Sequence, residues 1–280
     1  MRRFLFASAL LLPTLAPVLA SEDPSAEDAK QKTDPLRTYY AAASAKFEFF
    51  RDAAKKQPLK FVEKPVLKWF NDDDWSGDVC VWTWEDLPEV IGCVLSGPAE
   101  NNQRIVFQEF HLLATEPIAP ADMQNRSRWS PREGLKRIPL EGVPDPAESA
   151  VARLTQMRQI LRDFSAHMTA QGEWELRLLP QPLMRYQPKT GPVVDGALFT
   201  FVWTKGTDPE LVLLLECRKT NSGTAWFFAP VRFSNRELWL KHYNVEVWRG
   251  PVHQEPDPES HLVYTTRYRE TIEDPRPKAK

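Results

Sequence analysis

The chain has 280 residues, with 36 basic and 38 acidic side chains and a formal net charge of −2. Because the charge is nearly balanced and there is no long basic run, the sequence lacks the electrostatic footprint of a protein that binds nucleic acid or anionic lipid. We therefore expect no nucleic-acid partner. The length is sufficient for one large domain or two small ones with a sizeable core.

The first residues have the features of a secretory signal peptide. Arg2 and Arg3 give a basic start, residues 4–19 are almost wholly apolar, and Ala20 ends a small-x-small cleavage pattern. The apolar core is short and interrupted by proline, which disfavours a membrane anchor. We predict cleavage after Ala20, a periplasmic or secreted protein, and no membrane span once the signal is removed. Residues 21–33 are polar and charged, which predicts a flexible leader.

One eight-residue pattern occurs twice, 121 positions apart. W-T-x-x-x-x-P-E begins at Trp82 and again at Trp203. An internal copy predicts a chain built from two similar halves. The predicted segments are a first half at 34–115, a connector rich in proline and arginine at 116–144, a second half at 145–250, and a C-terminal extension and tail at 251–280.

Each half opens with the pattern of an amphipathic helix. Asp34 precedes a proline, which is a preferred helix start, and apolar side chains then recur at spacings of three and four as far as Ala54. Asp145 repeats this start, Glu148 completes a capping box, and a second apolar stripe continues as far as Met168. We predict a helix in each half, docked on its own sheet.

About four strands are predicted after each helix. Residues 59–69 and 176–186 contain prolines inside strand-like runs, which predicts edge strands or strands bent at bulges, because proline cannot donate to a ladder. The returning hairpin arms, 90–95 and 211–215, are apolar at nearly every position, so we expect both of their faces to be covered. The predicted fold class is α+β: an internal duplication of a helix plus about four antiparallel strands, with two halves sharing one core. One long curved sheet that carries both helices on one face is the alternative.

The three cysteines are too few, and odd in number, for a disulfide framework. Cys80 and Cys93 are equidistant from a predicted turn centred between Asp86 and Leu87. As directly opposed strand residues, they would lie within reach of a disulfide in an oxidising compartment. The alternative is a pair of small buried hydrophobic side chains. Cys217 has no evident mate and is expected to be a buried thiol.

The sequence contains none of the common catalytic signatures. There is no Gly-x-Ser-x-Gly elbow, no His-Glu-x-x-His, no Cys-x-x-Cys and no glycine-rich phosphate loop, and the five histidines lack ligand spacing. Residues 72–78 resemble the first half of an EF-hand loop, but Thr83 stands where the loop needs a glutamate. The catalytic residues therefore stay unknown, and we predict no cofactor and no bound metal.

Candidates for binding or chemistry are Trp84, which aligns with Lys205 in the second half, and the duplicated pair Glu89 and Glu210. Trp84 shares a strand face with Trp82 and could stack on a sugar ring if exposed. Trp82 matches Trp203 in the second half, which favours a core role for Trp82 and leaves Trp84 as the better candidate. Glu89 and Glu210 follow the two turns and could act as acid and base if they met across a symmetry axis. A turn device is the more economical interpretation.

Two phrases of the second half resemble a known family. They are ELRLLPQPLMRY at 175–186 and GTDPELVLLLE at 206–216. Both are similar to phrases of an uncharacterised family of exported bacterial proteins of planctomycete type. The resemblance covers chiefly 145–248 and implies no activity, substrate or cofactor.

The function that we expect is non-enzymatic: an exported module that binds an unknown ligand or protein partner. The reason is that packing patterns are many and catalytic signatures are absent. An exported hydrolase with a dispersed active site is the alternative. An enzyme should have a deep pocket where polar groups with perturbed pKa values converge, whereas a binding module should have an apolar groove or an exposed aromatic strip.

Overall fold

The computed structural model describes residues 34–123, 127–254 and 258–277. The predicted signal peptide at 1–20 and the predicted leader at 21–33 lie outside these residues. The described helices are α1 (Pro35–Ser44) and α2 (Ala150–Ile160). Neither has the length and apolar character that a transmembrane helix needs.

Eighteen strands are described, numbered here in chain order. They are β1 (Lys60–Phe61), β2 (Leu67–Phe70), β3 (Ser76–Trp84), β4 (Leu87–Ala99), β5 (Gln103–Leu112), β6 (Ala121–Asp122), β7 (Arg128–Trp129), β8 (Ile138–Pro139), β9 (Phe164–Thr169), β10 (Glu173–Glu175), β11 (Arg177–Tyr186), β12 (Val193–Val202), β13 (Pro209–Thr220), β14 (Gly223–Arg232), β15 (Leu238–His242), β16 (Val245–Gly250), β17 (Glu259–Ser260) and β18 (Tyr264–Glu273).

The α+β prediction is wrong, because the described chain is mostly β-sheet and has only two helices. The predicted unit of one helix plus about four strands is contradicted with it. Two strand pairs, β9 with β10 and β15 with β16, form a sheet of their own, and β18 joins the sheet that contains β3–β5. The chain therefore does not divide into two copies of one helix-and-strand unit.

The first helix is capped as predicted but is much shorter than its apolar stripe. The Asp34 carboxylate accepts a hydrogen bond from the backbone N–H of Leu36 at 3.0 Å. The helix ends at Ser44, and Phe47 and Phe49 follow in non-helical backbone, both buried. The two phenylalanines are two residues apart, as in an extended segment, so the predicted helical spacing does not continue.

The second helix begins later and also ends earlier than predicted. Ser149, not Asp145, is the N-cap residue, and its hydroxyl accepts from the backbone N–H of Ala152 at 3.2 Å. After α2 and a 3₁₀ turn, the chain enters β9, where Phe164 and Met168 are buried on alternate positions. A spacing of four fits both a helix and a strand, which is why this stripe predicted helix.

Three antiparallel sheets form most of the structure. In the first sheet the strand order is β1-β3-β4-β5-β18, with β2 also paired to β3. In the second sheet it is β11-β12-β13-β14-β8, and in the third it is β10-β9-β15-β16. A small additional sheet has the order β17-β7-β6, in which β17 and β7 are parallel.

The prediction of proline-bent edge strands is confirmed. The strand β11 lies at the edge of the second sheet, and its register on β12 shifts between Leu179 and Met184, the stretch that contains Pro180 and Pro182. In the first sheet, the chain around Pro65 separates β1 from β2, and both pair with β3. Each proline therefore lies where a ladder hydrogen bond is not required.

The first and second sheets enclose a common hydrophobic cluster. Val79 and Ile91 of the first sheet belong to the same cluster as Val212 and Leu214 of the second. The opposite face of the first sheet packs under α1, and the opposite face of the second packs under α2 and the third sheet. Burying each such aliphatic side chain contributes roughly 1.5–3 kcal/mol.

The prediction that the returning arms are covered on both faces is confirmed. In β4, Val90 and Val94 pack on the α1 side, whereas Ile91 packs between the two large sheets. In β13, Leu213 packs on the α2 side and Leu214 packs between the sheets. This double burial explains why neither run alternates with polar residues.

Candidate functional site

A cleft of about 200 Å³ opens at one end of the contact between the first and second sheets. Its walls are the β3–β4 turn, the loop before β12, and parts of the connector. The polar side chains at its surface include Arg51, Glu89, Arg137 and Arg218, and the ring of Trp84 forms an apolar wall. Ligand sites for drug-sized molecules measure ~300–1,000 Å³, so this cleft suits a smaller ligand.

A β-bulge places Glu89 in the cleft. Trp82 pairs with Val90, but Thr83 pairs with Pro88, which leaves Glu89 as the extra residue of β4. Its carbonyl accepts hydrogen bonds from the two backbone N–H groups that follow β5, at 2.7 Å and 3.1 Å. The bulge is therefore held in place by backbone hydrogen bonds, and the Glu89 side chain has a fixed starting point.

The same bulge occurs in the second sheet. Phe201 pairs with Leu211 and Val202 pairs with Pro209, which leaves Glu210 as the extra residue of β13. The Glu210 carbonyl accepts from a backbone N–H after β14 at 2.9 Å. The repeated Pro-Glu of the sequence thus marks two bulges in matching places, with buried carboxyl groups rather than the exposed ones that a simple turn would have.

The Glu89 carboxyl group is buried next to a cation. The residue is 2 % exposed, and its Oε2 lies 3.2 Å from Arg51 Nε without a hydrogen bond to any described residue. Burial raises the pKa of Glu89, and the positive charges of Arg51 and Arg137 offset part of that rise. A proton can therefore be held at this position more readily than at an exposed glutamate.

Arg51 is positioned by a short loop that follows α1. The carboxylate of Asp52 accepts from the backbone N–H groups of Lys56 and Gln57, and the Arg51 N–H donates to the Gln57 carbonyl at 3.0 Å. The Arg51 guanidinium lies 5.6 Å from the ring centroid of Trp84, within the range of a cation–π contact. The loop thus presents one cation and one aromatic ring side by side.

Two further guanidinium groups are held by one buried carboxylate. Glu216 is fully buried and accepts from Arg137 Nε at 3.2 Å, from Arg218 Nη1 at 2.5 Å and from the Tyr186 hydroxyl at 2.8 Å. Burial alone acts to raise the pKa of Glu216, but the charges and hydrogen bonds of these partners outweigh it, so its pKa lies below the ordinary value. Glu216 stays ionised and fixes both arginines at the cleft.

The arrangement favours an anion. Arg51, Arg137 and Arg218 bring three positive charges to the cleft, and the carboxyl groups of Glu216 and of Glu85 at the rim offset two of them, so the cleft is net positive while Glu89 holds a proton. Arg218 uses only Nη1 on Glu216, and its Nε and Nη2 donors make no hydrogen bond to any residue within the described ranges. Guanidinium groups bind carboxylate and phosphate oxygens strongly because their donors are planar and charged. The cleft can therefore hold a small carboxylate, sulfate or phosphate group.

The two predicted binding candidates, Trp84 and Glu89, both face this cleft. Trp84 is half-buried at its wall, whereas Trp82 is buried and donates from its indole N–H to the Phe47 carbonyl at 3.2 Å. The preference for Trp84 over Trp82 as the accessible ring is confirmed.

Glu210 has different surroundings from Glu89. It is buried, and its pKa is raised by that burial, although Ser234 and Arg236 offset part of the rise. Glu109 of the first sheet is close enough for the charge of Glu210 to raise its pKa as well. Glu89 thus has a cation, Arg51, at ion-pair distance, whereas Glu210 is close to an acid, Glu109, as well as to a cation, Arg236.

Of the two alternatives for Cys80 and Cys93, the structure shows the pair of buried side chains, with both thiols free. Trp84 pairs with Leu87, so the turn is centred between Glu85 and Asp86, one position earlier than predicted; together with the bulge at Glu89, this places Cys80 opposite Gly92 and Cys93 opposite Val79. The two thiols consequently belong to different faces of the first sheet. Cys217, as predicted, is also a free and buried thiol.

Two of the four acidic residues at 72–78 are engaged in ion pairs. Asp74 contacts Arg104 at 2.8 Å and Arg276 at 2.7 Å, and Asp78 contacts Arg37 at 2.6 Å. The hydrogen bond from Arg276 is the main reason why the pKa of Asp74 falls to about 2. In the parts of the chain that the structure describes, no group of three or more metal-ligating side chains is assembled.

Sequence reasoning missed the arginines of the cleft and their carboxylate. One signal was available: Glu216 and Arg218 are charged residues two positions apart at the end of an apolar strand, so they share a face of the sheet. Arg137 carries no comparable signal, because it lies in the proline-rich connector.

Comparisons with other proteins add no assignment to this geometry. The predicted membership of an exported bacterial family stays a prediction. The chain matches no model of a known protein family, no curated protein and no solved structure.

Proposed function

We propose that this protein is a non-enzymatic binding module whose cleft takes a small organic anion. The observation that carries the proposal is the Glu216 carboxylate, which holds the guanidinium groups of Arg137 and Arg218 at the cleft. Positively charged donors that are already oriented bind an anion without losing much side-chain freedom. The N-terminal sequence pattern supports the further proposal that the module is exported.

The apolar wall indicates what the rest of the ligand is like. Trp84 and Leu87 line the cleft next to Arg51, so a planar or apolar group can pack there while its anionic group contacts the arginines. The turn and the loop that flank this wall are linked by a hydrogen bond from the Thr190 hydroxyl to Glu85 at 2.8 Å. We therefore favour a small aromatic or cyclic carboxylate over a simple inorganic ion.

Isothermal titration calorimetry tests the proposal on the full chain. We expect saturable binding of benzoate, weaker binding of sulfate, and none of benzyl alcohol, which has the ring without the charge. Arg218→Gln should weaken benzoate binding about tenfold or more, since a charge-assisted hydrogen bond contributes ~1.5–3 kcal/mol. Arg249→Gln is the matched control, because Arg249 lies in β16 and is not part of the cleft.

The proposal would be overturned by two results. One is the absence of saturable binding for benzoate, sulfate and phosphate alike. The other is an equal loss of affinity in Arg218→Gln and Arg249→Gln, which would indicate a general effect of charge rather than a site.

One observation favours the alternative of an exported hydrolase. Glu89 is a buried carboxyl group with a raised pKa at a cleft surface, which is a common arrangement for a general acid. Hydrolysis of chromogenic esters, glycosides or phosphate esters by the full chain, abolished in Glu89→Gln, would support it. The absence of turnover together with tight benzoate binding would favour the binding module.

A further inference from the structure

We propose that anion binding in the cleft is coupled to the uptake of one proton by Glu89. This inference rests on the proposed function, because it concerns the same cleft. It makes the affinity of the site for anions depend on pH, so that the ligand is bound in acid and released as the pH rises.

The geometry gives the Glu89 carboxyl group one cation at ion-pair distance and holds this carboxyl group at the surface of the cleft. Its Oε2 is buried without a hydrogen bond to a described residue, and Arg51 Nε lies 3.2 Å away. The bulge fixes the backbone of Glu89 through two hydrogen bonds to its carbonyl, so the side chain stays at the cleft surface. An ionised Glu89 therefore occupies the guanidinium that an incoming anion would use.

An anion that binds beside Arg51 brings a second negative charge close to Glu89. Two like charges in a poorly solvated site do not both stay ionised, so the carboxylate is favoured to take up a proton. The protonated carboxyl group then has an O–H donor, which can hydrogen-bond to an oxygen of the anion. The proton comes from solvent, and no covalent bond other than this O–H is formed.

Charged groups on every element around Glu89 agree with this assignment. Arg51 comes from the loop after α1, Arg137 from the connector and Arg218 from β13. Arginine side chains do not lose their proton in proteins, so these three groups carry a positive charge at every pH of the experiments below. Glu216 is buried behind Arg137 and stays ionised because Arg137, Arg218 and Tyr186 all donate to it.

One further acid faces the cleft. Glu85, on the β3–β4 turn, is exposed at the rim. Among the described residues that line the cleft, Glu89 is thus the buried group whose protonation can follow binding.

The test uses sulfate, which does not change its own charge between about pH 5 and about pH 8. Calorimetric titrations of the full chain in two buffers with different ionisation enthalpies measure the protons taken up per sulfate. We expect close to one proton per sulfate in the upper part of this range. The dissociation constant should rise about tenfold for each pH unit there, because one proton is linked to binding.

Two variants locate the effect. Glu89→Gln should bind sulfate with an affinity that does not depend on pH and with no buffer-dependent heat. Glu246→Gln, which removes an exposed carboxylate of β16, should behave like the unmodified chain. Circular dichroism shows whether Glu89→Gln folds, and the buffer dependence of the unmodified chain tests the coupling without any variant.

The outcomes separate the two proposals. Sulfate binding that is independent of pH and buffer would overturn the proton coupling and leave the anion site standing. A failure of sulfate and benzoate to bind at any pH would overturn the proposed function and the coupling with it. Proton uptake that persists in Glu89→Gln would show that another group takes up the proton, which also contradicts the inference.

Discussion

Glu89 and Glu210 are the extra residues of two matching β-bulges, one in each large sheet. Both side chains are buried, yet Glu89 lies beside Arg51 whereas Glu210 lies near Glu109 as well as near Arg236. The same type of β-bulge therefore places a glutamate in two different electrostatic environments. Bulges often redirect a side chain at the end of a strand, and here the first of them supplies the cleft with its buried carboxyl group.

The Glu216 network should contribute strongly to stability. In Glu216→Gln, the guanidinium groups of Arg137 and Arg218 lose the charge that compensates them in a largely buried position. We expect the free energy of unfolding to fall by roughly 3–5 kcal/mol, measured by urea denaturation. Glu246→Gln, which breaks an exposed pair with Arg249, should leave the urea midpoint nearly unchanged. Equal midpoints for the two variants would contradict the account of the network.

The stability of the chain should decrease as the pH rises from about 4.5 to about 8. Burial, together with the charge of Glu210, raises the pKa of Glu109 from 4.5 to about 8 although the Tyr264 hydroxyl donates to it. Between these two values the folded state holds a proton that the unfolded chain has released. The stabilisation that this proton difference represents is therefore complete below pH 4.5 and is lost as the pH rises towards 8. The loss is ~1.4 kcal/mol per pH unit for one group.

Glu109→Gln isolates that contribution. Between about pH 5 and about pH 8, the unfolding free energy of the variant should fall less steeply than that of the unmodified chain. The difference between the two slopes should correspond to close to one bound proton. Glu89 and Glu210 should contribute to the slope that remains, because burial raises their pKa values as well. An identical slope in the variant and the unmodified chain would show that Glu109 is not protonated in the folded state.

All three cysteines should be free thiols in the purified protein. Alkylation in denaturant without reductant, followed by mass spectrometry, should label three thiols, and prior reduction should not change that number. Labelling of a single thiol before reduction would show that Cys80 and Cys93 are bridged, which the register of β3 and β4 opposes.

Substitutions at Ser149 and Asp145 test which of these two residues caps the second helix. Ser149→Ala removes the hydroxyl that accepts from the Ala152 N–H and should lower the unfolding free energy by ~1 kcal/mol. Asp145→Ala should change it by less than ~0.5 kcal/mol, because Asp145 contributes its backbone carbonyl, not its side chain, to the hydrogen bond with Gln156. Thermal or urea unfolding measures both, and a larger effect at Asp145 would contradict the observed cap.

The strands were the most predictable part of the fold, and the helices the least. Runs such as 211–215 have no polar position, so their double coverage follows from the sequence alone. The apolar spacing of Phe164 and Met168 fits a helix as well as a strand. This segment is a strand in the structure because it pairs with β15, which is distant in sequence. Pairing partners that are distant in sequence cannot be read from spacing.

The turn and the bulge of the first hairpin explain why the thiols were harder to predict. The turn is centred between Glu85 and Asp86, one position before the predicted centre, and the extra residue at Glu89 changes the pairing again, so counting outward from the predicted turn does not give the partners of Cys80 and Cys93. Arg51, Arg137 and Arg218 come together from three distant segments. No local pattern in the sequence connects them, and only the packing of the two sheets brings their charges to one cleft.

The central claim is that the cleft arginines bind a small anion, and nuclear magnetic resonance of the arginine Nε–H groups tests it most directly. On titration with benzoate, we predict saturable shifts for Arg51, Arg137 and Arg218 that fit one dissociation constant, no comparable shift for Arg249, and none for any arginine with benzyl alcohol. If the cleft arginines do not shift, or if all arginines shift alike without saturating, the anion site is contradicted.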